Sequence, residues 1–286
     1  MAICIRLDYN IAMLKVQFIR FAVFYLFLLY GCAGMHKVTP VNVTEESARN
    51  ELYSAISVPA GKEFYINRRF TYVIAWNNIP VGRIMAESLD MKEYRGRKAY
   101  EVKLVTESND FLSKIYRVED KYVSYIDAVT MTSLRYEADR KEGKYRKHVI
   151  VEYDFENMRA VYTNLTDGSV KECEIETNVQ DPLSAMCFFM TMPVRLNENI
   201  RLTVNLNEKN YRLSARVEDF EALKVGDMGI FPAFKIRPYA ELDGSRVNRG
   251  RAWIYFSADN NRYPLYGVVR IPFGTVTATL TEVTAL

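Results

Sequence analysis

The chain has 286 residues, 49% hydrophobic and 26% charged, a globular composition long enough to bury a sizeable apolar core. Its 20 Tyr and 15 Phe against only 9 Pro favour strands over disorder. The formal charge is +3, but leaving out Arg6, Lys15, Arg20 and Asp8 gives 35 basic against 34 acidic residues, so no electrostatic case for nucleic acid remains.

Residues 1–31 carry the three parts of a secretory leader: Lys15 and Arg20 as the positive region, the apolar run Phe21 to Tyr30, and the small residue Gly31. Met13 opens a complete leader by itself and is the expected start of translation. The order Leu29, Tyr30, Gly31, Cys32 resembles a bacterial lipobox, with Tyr30 where a small residue is usual. The resemblance implies cleavage before Cys32 and a diacylglyceryl thioether on its sulfur. Two or three acyl chains, at about 0.8 kcal/mol per buried CH₂, hold a protein durably at a bilayer. An uncleaved anchor is the alternative, but the apolar run falls short of the roughly 20 residues that a spanning helix needs. By the same resemblance, Ala33 in place of aspartate points to the outer rather than the inner membrane, on the face toward the periplasm.

Residues 32–63 read as a lipidated N-terminus and tether, weakly periodic and polar, with a marginal helix near 45–56. Residues 64–286 read as one domain with persistent period-2 alternation. In "KAYEVKLVTE" Tyr100, Val102 and Leu104 oppose Glu101, Lys103 and Glu107; in "SLRYEAD" Leu134, Tyr136 and Ala138 oppose Arg135, Glu137 and Asp139. "NDFLSKIY" is a short helix with Asn109 or Asp110 as cap. Asp167 and Gly168 in "TNLTDGSVKE" mark a hairpin turn. "RLTVNLNEKNYRLSARV" is a second hairpin, with Leu202, Val204 and Leu206 matched to Tyr211, Leu213, Ala215 and Val217 across a four-residue polar turn. About a dozen strands at this spacing predict a mainly β fold: a sandwich, an open barrel or a large curved antiparallel sheet.

One segment breaks the pattern. "DPLSAMCFFMTMPV" has Asp181 as N-cap, Pro182 in the first turn and Pro193 as a stop. A helix over 181–192 that is apolar on nearly every side must be buried, on the concave face of a curved sheet or as the plug of an open barrel. Its Met186, Phe189 and Met190, together with Trp76, are the candidate lining of an apolar ligand site, because flexible thioethers suit adaptable apolar surfaces. The other reading makes these residues, like Trp253, Tyr255 and Phe256, plain core.

No catalytic motif stands out. The two histidines, His36 and His148, have no partner at metal-ligand spacing, and no nucleophile elbow, P-loop or zinc-protease motif occurs. Carboxylates such as Glu119 and Asp120 can act as acid and base only if they converge in space. Cys173 and Cys187 either pair as a disulfide in an oxidising compartment or stay as buried thiols. The basic stretches Arg140 to Lys147 and "GSRVNRGR" at 244–251 can meet anionic headgroups or glycans, although solvated hairpin tips, with Glu142 interspersed in the first, are the preferred reading.

Three stretches, "RFTYVIAWNNIPVGRIMAES", "QDPLSAMCFFM" and "GRAWIYFSADNNRYPLYGVVRIPFGTVTATLTEV", are similar to family 3108 of domains of unknown function, bacterial envelope proteins with a leader or lipobox. The motif residues are Trp76 with Ile79, Pro80, Val81 and Gly82; Asp181 to Ser184; and Asp259, Pro264 and Gly274. The family resemblance implies a mainly antiparallel fold akin to the half-barrels of lipoprotein-sorting carriers, and it supplies no catalytic residue or cofactor. The expected function is that of a membrane-anchored, non-catalytic envelope protein binding a lipid or glycolipid. The alternatives are an assembly component that contacts another envelope protein and, last, an enzyme working through carboxylates.

Overall fold

The computed structural model describes residues 38–41, 67–247, 250–259 and 261–286; the leader, Cys32 and the helix expected near 45–56 lie outside the described residues. A short strand β1 (Thr39–Val41) stands first, within what the sequence reads as tether. It is followed by β2 (Arg68–Trp76), β3 (Ile79–Tyr94), β4 (Arg97–Ser108), the one-turn helix α1 (Asp110–Ser113), β5 (Glu119–Asp127), β6 (Ser133–Glu142), β7 (Tyr145–Asp154), β8 (Arg159–Asn164) and β9 (Val170–Glu174). After helix α2 (Pro182–Thr191) come β10 (Asn199–Leu206), β11 (Lys209–Val225), β12 (Gly229–Leu242), β13 (Ser245–Arg246), β14 (Arg251–Ser257), β15 (Pro264–Ile271) and β16 (Gly274–Ala285).

All these strands belong to one antiparallel sheet in the order β1-β11-β12-β14-β15-β16-β2-β3-β4-β5-β6-β7-β8-β9, with β10 also on β11 and β13 on β12. Among the described residues the ladder has two free ends, so the sheet is not closed. Alternation sets which side chains face inward. Leu134, Tyr136 and Ala138 are buried as expected, and so are Val102 and Leu104. Glu101 departs from the simple pattern, being buried although it lies on the outer face. Lys92 of the adjacent strand β3 and Lys103 two residues along β4 cover it, Lys103 at 3.2 Å, and Tyr125 is its register partner. Burial alone would raise its pKa, and the two ammonium groups hold it below the usual carboxylate value.

The turns carry their own chemistry. Between β2 and β3 only Asn77 and Asn78 intervene, both left-handed at φ 47° and 76°, the tight turn that matches strand twist. The β10–β11 turn is shorter than the sequence suggests. Lys209 and Asn210 pair with Leu206 and Asn205, leaving Asn207 and Glu208 as a two-residue turn at φ 49° and 61°. Gly82 has a packing reason: a Cβ there would stand 2.3 Å from the carbonyl oxygen of Glu107 on the neighbouring strand. Because every pairing is antiparallel, connections alternate between two ends of the sheet. One end collects the β2–β3, β6–β7, β8–β9, β10–β11 and β15–β16 turns, the α1 segment and the β12–β14 loop.

Helix α2 fills the concave face. Its Leu183, Ala185, Phe189 and Met190 share one buried cluster with Phe70, Tyr72 and Leu104 from one arm of the sheet and Val217, Phe234 and Phe256 from the other. Phe189 packs on Phe256 with ring centroids 4.8 Å apart. Both ends of the helix are fixed by polar contacts. The fully buried Asp181 carboxylate accepts from the amides of Leu183 (2.7 Å) and Ser184 (3.0 Å), from the Ser124 hydroxyl (2.5 Å) and from the Ser133 hydroxyl. In return the Asp181 amide donates to Ser184 Oγ at 2.9 Å, completing a capping box. At the other end Arg262 Nη1 donates to the Met192 carbonyl at 2.9 Å. Arg262 is held there by the Asp259 turn, whose carboxylate accepts the amides of Asn261 (3.0 Å) and Arg262 (3.2 Å).

Burial raises the Asp181 carboxyl above its ordinary 3.8, although four donors work in the opposite direction. The group therefore favours folding most below pH 3.8, and that contribution is lost as pH rises through the folded-state value. Asp181→Ala is expected to lower the unfolding free energy by about 2–4 kcal/mol, from the lost cap and the stranded donors. Asp181→Asn, an equally good cap, stays within about 1 kcal/mol of the parent at pH 7 and removes the group's pH dependence. Urea unfolding of the three chains at pH 4 and pH 7 checks both statements.

Candidate functional site

Among the described residues the two free ends of the sheet come together without a ladder. The chain after β9 crosses the gap and makes a single bridge to β10, with Gln180 N donating to Thr203 O at 2.9 Å and Asn205 N donating to Gln180 O at 2.8 Å. Elsewhere the seam is held by side chains. Asn205 is its centre: Oδ1 accepts from the Tyr162 hydroxyl, and Nδ2 donates to Asn210 Oδ1 at 2.7 Å and reaches Cys173 Sγ at 3.5 Å. Asn210 Nδ2 donates to the Glu174 carbonyl at 2.7 Å, and Lys171 meets Glu208 at 2.9 Å. Polar amides suit this place because each satisfies a backbone or side-chain group that a closed ladder would otherwise pair.

Beside the seam lies a groove of about 410 Å³, walled by Tyr145, Arg146, Lys147, Tyr162, Lys171 and Glu208. A volume of that order is enough for a small-molecule ligand. Its inner wall continues into a narrow cleft of about 30 Å³ against Tyr136, Ala138, Val149, Val151 and Leu206. The mouth of the groove carries Arg146, Lys147 and Lys171 with Asp167 and Glu208 among them, and the cleft behind it is mainly apolar. Arg140 also lines that cleft, its guanidinium folded inward onto Glu142. Glu142 is buried, which corrects the solvated hairpin tip expected there; only the Lys144 turn and Arg146 lie exposed.

The residues expected to line an apolar cavity do not form one. Met186 and Met190 touch a cleft of about 50 Å³ between α2 and β2–β4, and Met186 also a second of about 30 Å³. Spaces of this size hold one or two waters, far below the 300–1,000 Å³ of ligand pockets. Phe189 is core, and Trp76 stands outside, exposed at the end of β2.

Cys173 and Cys187 are both free thiols, which corrects the disulfide reading. Cys173 sits at the seam, whereas Cys187 is buried among Val102 and Ile126 under the helix. Burial raises both thiol pKa values. Glu119 and Asp120 do not converge either. Adjacent strand positions face opposite ways, so Glu119 pairs with Arg117 at 2.6 Å outside while Asp120 is buried and accepts from the Tyr122 hydroxyl at 3.1 Å. His148 Nε2 lies 2.7 Å from Glu137 on the outer face. Among the described residues no cluster of three His, Cys, Asp or Glu could hold a metal ion, and no helix is long and apolar enough to cross a membrane. The seam groove was missed in the sequence because its walls come from β6–β9 and the β10–β11 turn, segments separated by the whole of α2. The run "KYRKH" at 144–148 was its one visible trace.

A family model described as protein of unknown function (DUF3108) matches residues 71–281, and the chain belongs to that family. No curated protein matches it. Among solved structures it is similar to a β-barrel-like protein of the domain of unknown function DUF1849 from Brucella abortus, at 11% identity and a TM-score of 0.53, covering 77% of this chain and 98% of that one. A putative exported protein with a YmcC-like fold from Bacteroides fragilis aligns over 80% of this chain and 99% of its own, at 10% identity and a TM-score of 0.29. The first likeness shows a shared barrel-like fold.

The thiol assignment has a direct check. In a chain with Cys4 and Cys32 replaced by Ser, Cys173 is expected to react slowly with an aromatic disulfide reagent under native conditions, and Cys187 only after denaturation. Mild oxidation yields no intrachain bond. A reducible link between Cys173 and Cys187 in the native protein would contradict the assignment.

Proposed function

We propose that this is a lipid-anchored protein of the bacterial cell envelope, tethered through Cys32 at the outer membrane, whose barrel-like domain binds an amphiphile without catalysis. The observation that carries the reading is the seam groove: cationic side chains at its mouth lead to an apolar cleft between the two free ends of the sheet. An anionic headgroup of a lipid or glycolipid would lie against Arg146, Lys147 and Lys171. The chain would start at Val149 and Leu206; the cleft there, about 30 Å³, is no larger than those beside α2, so entry requires the seam to part, which side-chain hydrogen bonds resist less than a β-ladder would. The packed interior beneath α2 argues for this location and against carriage inside the barrel.

Two measurements test the two halves of the proposal. Metabolic labelling with an alkyne palmitate analogue is expected to mark the native chain and not Cys32→Ser; equal labelling of both removes the anchor. For the site, replacing Arg146 and Lys147 together by Glu is expected to weaken binding of a fluorescent phosphatidylglycerol at least about tenfold, the loss of one to two charge-assisted contacts. The thermal midpoint should stay unchanged because neither residue is core. Unaltered affinity in the double variant removes the groove.

A further inference from the structure

The same end of the barrel carries an unusual strip. Trp76, Ile79, Phe111, Ile115 and Phe273 are exposed by 43, 55, 63, 77 and 52% respectively, although each is large and apolar. They come from three connections that are tied to one another. Trp76 pairs with Ile79 across the Asn77–Asn78 turn. Asn77 N donates to Thr275 O at 2.9 Å and Thr275 N to Asn77 Oδ1 at 3.0 Å, which locks that turn beside the Phe273 turn. The contact is close: a Cβ on Gly274, itself at φ 132°, would stand 2.5 Å from the Asn77 amide group. On the other side Asn109 Nδ2 donates to Pro80 O at 2.6 Å and caps α1, which presents Phe111 and is followed by Ile115. The strip is thus rigid and continuous along the rim.

Unpaired charge on its border is mostly positive. Lys114, Arg251 and Arg270 are exposed beside it, and Arg270 stacks over Trp253. The nearby carboxylates Glu107 and Glu119 are occupied by Arg83 and Arg117, each at under 3 Å, leaving Asp110 at the N-terminus of α1 as the acidic member. An apolar strip of this make-up, bordered by lysine and arginine, matches the interface of an anionic bilayer, where aromatic rings sit at headgroup level and cations meet lipid phosphates. Contiguous exposed apolar patches on soluble proteins mark interaction sites.

We propose that this rim is a membrane-contact surface that inserts Trp76, Phe273, Phe111 and Ile115 into the headgroup region of an anionic leaflet. Docked in this way, the end that bears the seam groove faces the lipid from which an amphiphile would enter. The contact itself depends neither on that groove nor on acylation of Cys32, and it survives the failure of either.

The test uses the whole chain with Trp253→Phe, which leaves Trp76 as the sole tryptophan of the two in the sequence. It is reconstituted into phosphatidylcholine vesicles with and without phosphatidylglycerol, some lipids brominated near the top of the acyl chain. In anionic vesicles Trp76 emission should shift to shorter wavelength, be quenched by the brominated lipid and lose quenching by aqueous acrylamide. The further change of Phe273 and Ile115 to Asp should abolish these effects while leaving the thermal transition in place. Identical emission and full acrylamide access in both kinds of vesicle would overturn the proposal and leave the rim to a protein partner.

Discussion

A curved sheet that does not close must cover its concave face, and everything else in this structure depends on how that is done. The cover is a ten-residue helix with too little polarity to stand in water, fixed at one end by a buried carboxylate and at the other by a buried guanidinium. Asp181 does more than cap. By accepting from Ser124 on β5 and Ser133 on β6 it joins the helix to the middle of the sheet, so the position of the helix and the curvature of those strands are set together. Burying a carboxylate among neutral donors is unfavourable, and here hydroxyls and amides on its lone pairs offset that cost in part. The motif residues Asp181 and Asp259 therefore act on the same element from opposite ends, the second by placing Arg262.

Filling the interior leaves the larger groove at the periphery. The apolar clefts beside Met186 and Met190 are too small for a ligand, while the seam offers volume, charge and a weak joint. The seam is weak for a topological reason. After β9 the chain leaves the sheet to build α2, and when it returns as β10 it pairs with β11 instead of β9. One bridge at Gln180 and a set of amide contacts around Asn205 replace the missing ladder. A fold made in this order has a built-in opening, at the place where cationic side chains happen to gather.

Much of this was legible in the sequence because period-2 alternation and cap chemistry are local. The inward faces at Leu134 to Ala138, the hairpin at 201–217 and the helix started by Asp181 and Pro182 all follow from neighbours within a few residues. What stayed hidden depends on distant neighbours. Glu101 reads as a solvated outer-face residue until Lys92 and Lys103 of flanking positions close over it. Asn207 and Glu208 read as half of a polar loop, since glutamate gives no sign that it will adopt a left-handed turn. Cys173 and Cys187 read as candidates for pairing because sequence separation is short, yet one lies on the seam and the other beneath the helix. The groove and the rim were the least visible, each assembled from turns that share only an end of the barrel.

Binding at the proposed seam groove requires α2 to be a fixed filler and the seam to be the part that opens. Native-state hydrogen exchange separates the two most directly, because amides protected by tertiary packing exchange only on global unfolding while a weak joint opens at lower free energy. The amides of Ala185 to Met190 should exchange together with the central strands β4 and β5, and those of β9 and Thr203 to Asn205 markedly faster. If the helix amides exchanged ahead of the central strands, α2 would be a movable plug, and the site of binding would return to the interior of the barrel.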